Sequence, residues 1–335
     1  MGPLAGLIGE SPGLVAVRKQ VEQLLRRQGA SRRLPPVLIL GETGTGKGLL
    51  ARAIHEAGPR AAGPFVAVNC AAIPETLLEA ELFGFERGAF TDARQAKAGL
   101  FQTAHRGILF LDEIGLLPEN LQAKLLTALE EGAVRRLGST RAEQVDVWVI
   151  SATSEDLKAG TRRRGFREEL YHRLAVVTLR LPPLRERGKD VLTLAEHFLK
   201  RTCTEYGLPP KTLAEDARAA LVAYRWPGNV REVANVMERA ALLVDGPLVT
   251  VDSLELAIPR NQRGSRPAND EWAISDAVGI SLGQTVEEVE RRHILEALHE
   301  THWNISRAAS RLGVTRDILR YRVQKYGLRP PSAVA

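Results

Sequence analysis

Gly41, Gly44, Gly46 and Lys47 are the residues whose types and spacing most directly imply chemistry. They belong to the run Gly41-Glu42-Thr43-Gly44-Thr45-Gly46-Lys47-Gly48, which follows an apolar stretch at 37–40. A strand emptying into a glycine-rich turn, with lysine at its end and a helical pattern beyond, is the phosphate-binding loop G-x-x-x-x-G-K. Glycines let backbone N–H groups converge on phosphate oxygens, and the start of the helix adds partial positive charge. Lys47 can reach the terminal phosphates as a point charge. Position 48 is Gly where the general motif carries Ser or Thr, so Mg²⁺ must be held largely from elsewhere. The apolar stretch 108–111 ends in Asp112-Glu113, an arrangement of the Walker B kind. Asp112 would hold Mg²⁺, directly or through water, and Glu113 would orient and deprotonate the attacking water. ATP and Mg²⁺ are the expected ligands.

Those residues require a scaffold that brings strand ends together. From residue 37 onward, strand patterns (65–70, 107–113, 145–152, 176–181) alternate with helical ones (74–82, 118–131). Leu121, Leu125 and Leu129 mark one face of the last helix. Alternation of this kind predicts an α/β core with a mostly parallel sheet covered on both faces. Before it, Leu14, Val17, Val21, Leu24 and Leu25 recur at helical spacing. After Pro182-Pro183 the strands stop, and three helical patterns between 190 and 245 predict a small helical domain. Residues 259–270 carry no apolar anchor and read as a linker. A compact helical segment, about 284–328, follows.

Within that last segment Asn304 can cap a helix through Ile305, Ala308, Ala309 and Leu312, and Thr315 a second through Ile318, Leu319 and Val323. Ala309 four before Gly313, with Leu319 six after it, is the packing pattern of a helix-turn-helix. From 304 to 329 there are seven basic residues against Asp317 alone, leaving +6, equal to the net charge of the whole chain. That footprint predicts DNA binding with the second helix in the major groove, through Thr315, Arg316, Arg320 and Arg322.

The remaining composition bounds the answer. A chain of 335 residues has room for two or three domains, and 44% hydrophobic with 26% charged residues is ordinary for a globular protein. Two cysteines, Cys70 and Cys203, make no disulfide framework, and no run approaches membrane-spanning length, so a cytoplasmic protein without a membrane partner is expected.

Longer blocks narrow the reading. Residues 81–93 (ELFGFERGAFTDA), 166–174 (FREELYHRL), 181–187 (LPPLRER) and 226–232 (WPGNVRE) occur in this order. With the two nucleotide motifs, residues 7 to about 258 resemble the central domain of the sigma-54-dependent transcriptional activators, a branch of the AAA+ ATPases. The C-terminal segment resembles the Fis-type domain that ends such proteins. The resemblance implies an AAA+ P-loop core over 1–182, a helical lid over 183–258, a linker over 259–280 and an all-α helix-turn-helix domain over 281–330. It further implies that Asn69 holds the Walker B glutamate until ATP is read, and that Arg167 and Arg173 are fingers reaching a neighbour's γ-phosphate. Arg231 would be the lid's sensor of the phosphates. Gly88, Ala89, Phe90, Thr91, Asp92 and Ala93 would form the loop that grips sigma-54. The implied partners are upstream activating DNA, the sigma-54 RNA polymerase holoenzyme and copies of this chain, from a dimer, with its contact in helix 286–298, to a hexameric ring.

Four positions depart from the family's usual residues: Gly48 where Glu is common, Phe85 for His, Asp92 for Gly, and Ser154 where the first sensor often reads Thr-Asn. Asp92 places a carboxylate at the contact tip and motivates an alternative, a DNA-binding regulator whose ATPase only switches oligomeric state. An AAA+ loader or chaperone would explain the ATPase but not Gly88-Ala89-Phe90-Thr91 beside a helix-turn-helix. No receiver segment precedes residue 7, so control by an attached receiver is not expected.

Overall fold

The computed structural model describes residues 3–28, 34–90, 93–155, 157 and 165–256, and, further on, 294, 295, 297, 298, 301, 303–311, 319, 323 and 328. Residues 1–262 and 263–335 form two units.

In the first unit α1 (Pro12–Gln28) leads into β1 (Val37–Leu40), the phosphate-loop run and α2 (Lys47–Ala57). There follow β2 (Phe65–Asn69), α3 (Glu75–Phe83), β3 (Gly84–Phe85), β4 (Lys97–Ala98), α4 (Leu100–Thr103), β5 (Ile108–Asp112) and α5 (Glu119–Glu131). Next come β6 (Ala133–Arg135), β7 (Ala142–Gln144), β8 (Trp148–Thr153), α6 (Glu168–Leu174) and β9 (Val177–Arg180). Five strands make one parallel sheet in the order β2-β5-β8-β1-β9. The expected strands are all present, with the third starting at Trp148 rather than 145.

Period-two alternation divides each strand between two cores. Val37 and Ile39 of β1, Ile108 and Phe110 of β5, and Ile150 of β8 pack with α1 and α2. Leu38, Leu109, Leu111 and Val149 face the opposite way, against α3, α5 and α6. β8, flanked by neighbours on both sides, has all six residues buried, as a central parallel strand covered on both faces should.

Two short antiparallel ribbons, β3–β4 and β6–β7, stand outside the sheet. They were not anticipated. The three expected helices after residue 182 are α7 (Asp190–Glu205), α8 (Glu215–Ala223) and α9 (Asn229–Leu243). They close around Trp226, Met237, Leu194 and Leu221, and a two-strand ribbon of β10 (Thr212–Leu213) and β11 (Leu248–Val249) ties their ends.

In the second unit, α10 (Ile305–Arg311) opens at Asn304, whose Oδ1 accepts from the Arg307 N–H at 3.2 Å. Ala309 and Leu319 are buried in one cluster with Ile294, Ala297, Leu298 and Ala308. Thr315, Arg316, Arg320 and Arg322 lie outside the described residues, as do the linker stretch 259–280 and most of helix 286–298.

Candidate functional site

The phosphate loop sits at the C-terminal edge of the sheet, between β1 and α2. Gly44 (φ +79) and Gly46 (φ +101) occupy the left-handed region, and a β-carbon at Gly44 would collide with the Gly228 carbonyl. The first N–H groups of α2 have no partner within the helix and point into the turn. Thr45 is buried, its hydroxyl donating to the Glu42 carbonyl at 2.7 Å. The Lys47 ammonium, 6% exposed, folds back on the Gly41 carbonyl at 2.9 Å and lies 3.4 Å from Glu113 Oε1.

β5 delivers Asp112 and Glu113 to the same edge. Burial, then the neighbouring Glu113 charge, pushes the Asp112 carboxyl above the usual carboxylate range. The Glu113 N–H and the charges of Lys47 and Arg231 pull it back. Glu113 takes left-handed backbone (φ 51), and its Oε2 accepts from both the N–H and the hydroxyl of Ser154, at 3.1 and 3.0 Å. Cys70, buried beside them and bonded through its N–H to the Asp112 carbonyl, has its thiol pushed up to about 12 by burial and by the Asp112 and Glu113 charges.

The helical lid closes on the loop through contacts that sequence reading did not single out. Arg185 forks onto both carboxylate oxygens of Glu42 at 2.7 and 2.8 Å, and these bonds with one from Asn229 hold the Glu42 carboxyl below its usual range. Asn229, fully buried, donates to Glu42 Oε2 and to the Thr43 carbonyl and accepts from the Leu184 N–H. The Val230 and Arg231 N–H groups donate to the Gly44 carbonyl, and buried Arg187 donates to the Thr45 carbonyl. The blocks 181–187 and 226–232 contained these residues; their meeting with a loop 142 to 187 positions upstream left no local trace.

The remaining expected site residues are placed as follows. Asn69 is the register partner of Asp112, and its side chain accepts from the Ala71 N–H at 2.9 Å in its own turn; Glu113 Oε2 accepts from Ser154. Arg167 is exposed, its N–H seated on buried Gln122. Arg173 donates to the Leu129 carbonyl at 2.7 Å and lines a cavity with Pro35, Pro36, Val147 and Val176, at the sheet edge opposite the phosphate loop.

The described part of the segment 84–93 follows directly on α3. Its neck is closed by the Gly88 N–H on the Ala93 carbonyl, and its stem by Glu86 and Leu137 backbone bonds to the β6–β7 ribbon. Arg136 reaches both Glu86 and Glu143 at 3.3 Å. Phe90 is 42% exposed while one side of its ring leans on Phe85, centroids 4.8 Å apart. Thr91 and Asp92 lie outside the described residues.

Converging N–H groups, a buried lysine and one half-buried carboxylate suit a triphosphate with Mg²⁺. That ion takes one or two protein carboxylates and completes its shell with phosphates and water. Among the described residues, no group of three His, Cys, Asp or Glu would hold a metal alone.

The family model for the sigma-54 interaction domain matches residues 7–180. Those for the AAA+ ATPase lid domain and for the bacterial regulatory protein, Fis family, match 185–271 and 285–326. The chain belongs to the sigma-54-dependent transcriptional activators. Among relatives of this family, the response regulator protein PilR of Pseudomonas aeruginosa is 46% identical, over 96% of this chain and 70% of that one. The sigma54-dependent transcriptional activator SfnR of Pseudomonas putida is 45% identical, over 87% and 81%. NtrX from Brucella abortus, solved in complex with ATP, is 34% identical with a TM-score of 0.70, over 96% of this chain and 70% of that one. A RuvB mutant of Thermotoga maritima, 17% identical with a TM-score of 0.51, shares the fold alone. This sigma-54 activator thus has an AAA+ P-loop core with a parallel sheet, a lid and a C-terminal helix-turn-helix for binding DNA. No helix among its described residues is long and apolar enough to cross a membrane.

Proposed function

We propose that this activator binds DNA upstream of its promoters, assembles into a ring and uses ATP hydrolysis to remodel the closed complex of the sigma-54 RNA polymerase holoenzyme. The observation that carries this reading is the gathering of Lys47, Asp112 and Glu113 at one sheet edge beside Arg231 of the lid, in a chain that also carries an exposed Phe90 on a braced loop. Gly41 to Gly48 would cradle the phosphates, with Arg231 above them. Mg²⁺, held by Asp112 and the phosphates, would draw charge from the transferring phosphoryl group. Glu113 would accept the proton of the attacking water, while Arg167 and Arg173 act on a neighbouring subunit's site. The place of Arg173, at the sheet edge opposite its own chain's phosphate loop, favours that division.

Gly88, Ala89, Phe90, Thr91, Asp92 and Ala93 would meet sigma-54, and Thr315, Arg316, Arg320 and Arg322 would meet DNA. The experiment is open-complex formation on a sigma-54 promoter carrying the protein's own upstream site, with ATP and with a non-hydrolysable analogue. Opening with ATP alone supports the reading. Hydrolysis without opening would favour the regulator whose grip on sigma-54 is lost at Asp92. Normal opening by Glu113→Gln would sink the mechanism.

A further inference from the structure

We propose that Gln122 is the positioning residue for Arg167: it fixes, from inside the fold, the backbone from which that guanidinium reaches a neighbouring subunit's nucleotide. The inference rests on the ring and ATPase reading above. Gln122 is polar yet only 3% exposed, near the start of α5. Its amide is engaged at both ends. Oε1 accepts from the Arg167 N–H at 2.7 Å, while Nε2 donates to the Gly165 carbonyl at 3.2 Å and to the Leu117 carbonyl at 2.9 Å. One donor and two acceptors face the amide, so this orientation alone satisfies all three.

Arg167 is the N-cap residue of α6, and its side chain makes no capping bond there and stays exposed. Its backbone, by contrast, is held on both sides. The N–H sits on Gln122, and the carbonyl accepts from the Tyr171 N–H at 3.1 Å. Phe166 before it is buried in the core, and Gly165 is left-handed at φ +73. A long arginine can deliver its charge across a subunit boundary only as accurately as its own Cα is held. The third bond reaches Leu117, four residues after Glu113. One buried amide therefore ties the base of the outgoing arginine to the turn that leaves this chain's own catalytic strand.

The test uses the full chain with Gln122→Met, which keeps an unbranched side chain of similar length and removes the three bonds. Alone, it should lower kcat for ATP about ten- to a hundred-fold, with affinity for a fluorescent ATP analogue within about threefold. Mixing subunits gives a readout that a merely structural role would not move. Glu113→Gln subunits lack the general base but carry a sound Arg167; Gln122→Met subunits keep the base and misplace the arginine. Mixed in equal amounts, the two should hydrolyse ATP at least about threefold faster than the average of each alone, as should Arg167→Ala mixed with Glu113→Gln. Recovery with Arg167→Ala but not with Gln122→Met overturns the proposal, as does unchanged kcat in Gln122→Met. No recovery with either, or a parent that hydrolyses no ATP, overturns the ring and ATPase reading instead. Amide exchange without nucleotide then still decides the contact: the Arg167 N–H should exchange at least about tenfold faster in Gln122→Met, with β8 as protected as in the parent. Equal protection of that N–H in the two proteins overturns the proposal. Should Gln122→Met lose the protection of β8, Gln122→Leu takes its place in every arm.

Discussion

The Lys47 ammonium and the Glu113 carboxylate form an ion pair at 3.4 Å, 6% and 18% exposed. The phosphate loop's cation is thus already engaged, and phosphates entering the loop must draw it off. Neutralising the carboxylate relieves that competition. Glu113→Gln should bind a fluorescent ATP analogue at least as tightly as the parent, by up to about tenfold. Its phosphate release should fall by about 10²–10⁴, the range for loss of a general base.

Asp112 is held above its ordinary range by burial, so folding favours its protonated form. The corresponding stability is present below the unfolded value and lost as pH rises through the folded one. At neutral pH the ionised side chain therefore costs stability. Asp112→Asn should raise the melting temperature of the nucleotide-free protein by about a degree or two, the gain tempered by solvent screening. Hydrolysis should be lost, and Mg²⁺ should no longer strengthen nucleotide binding.

Arg185 and Glu42 join the lid to the phosphate loop across 143 positions. Both side chains are more than 40% exposed, so the pair is worth modest energy and is salt-sensitive. Arg185→Ala should weaken ATP binding about threefold at low salt and less at high salt, and should speed amide exchange at the start of α9. Because the Glu42 carboxyl is held low, the link is complete above its unfolded value and fails only as pH falls through the folded one. Lid closure should show no pH dependence from this pair near neutrality.

Arg136 braces the stem of the 84–93 loop through Glu86. Arg136→Ala should leave ATP hydrolysis within about twofold yet reduce capture of sigma-54 in a transition-state analogue about tenfold. Phe90→Ala should abolish capture with hydrolysis retained. Equal losses of hydrolysis and capture in Arg136→Ala would mean that the ribbon supports the core rather than the loop.

Gly48 has room for a β-carbon, 3.8 Å from the Phe110 ring. Gly48→Ala should stabilise the protein by about 0.5–1 kcal/mol through helix propensity, read by denaturant midpoint, with hydrolysis intact.

What could be read from the sequence was what is local. β1 and β5 announced themselves because a buried parallel strand is a largely apolar run, β8 did so despite Ser151 and Thr153, and the three lid helices did because one face repeats. The β6–β7 ribbon gave no such signal: three residues a side, with Arg135, Glu143 and Gln144 among them, carry too little apolar alternation. The clasp of Glu42, Arg185 and Asn229 was hidden for another reason. Each is polar and unremarkable in its own neighbourhood, and only tertiary closure makes a bonded set of them. Asn69 is a different case. Its place beside Asp112 follows from the sheet, but whether its amide reaches the glutamate depends on a turn that the next two residues supply.

The strand between the two motif strands has a metric consequence. Adjacent strands lie about 4.8 Å apart, so β1, which leads into the phosphate loop, and β5, which ends in Asp112, are held roughly 10 Å apart by backbone hydrogen bonds through β8. The gauge of the cleft belongs to the main chain. Side-chain changes along its walls can tune how fast it works or what it grips, but they leave its width unaltered, and any movement of one wall must be transmitted through, or absorbed by, the strand in the middle.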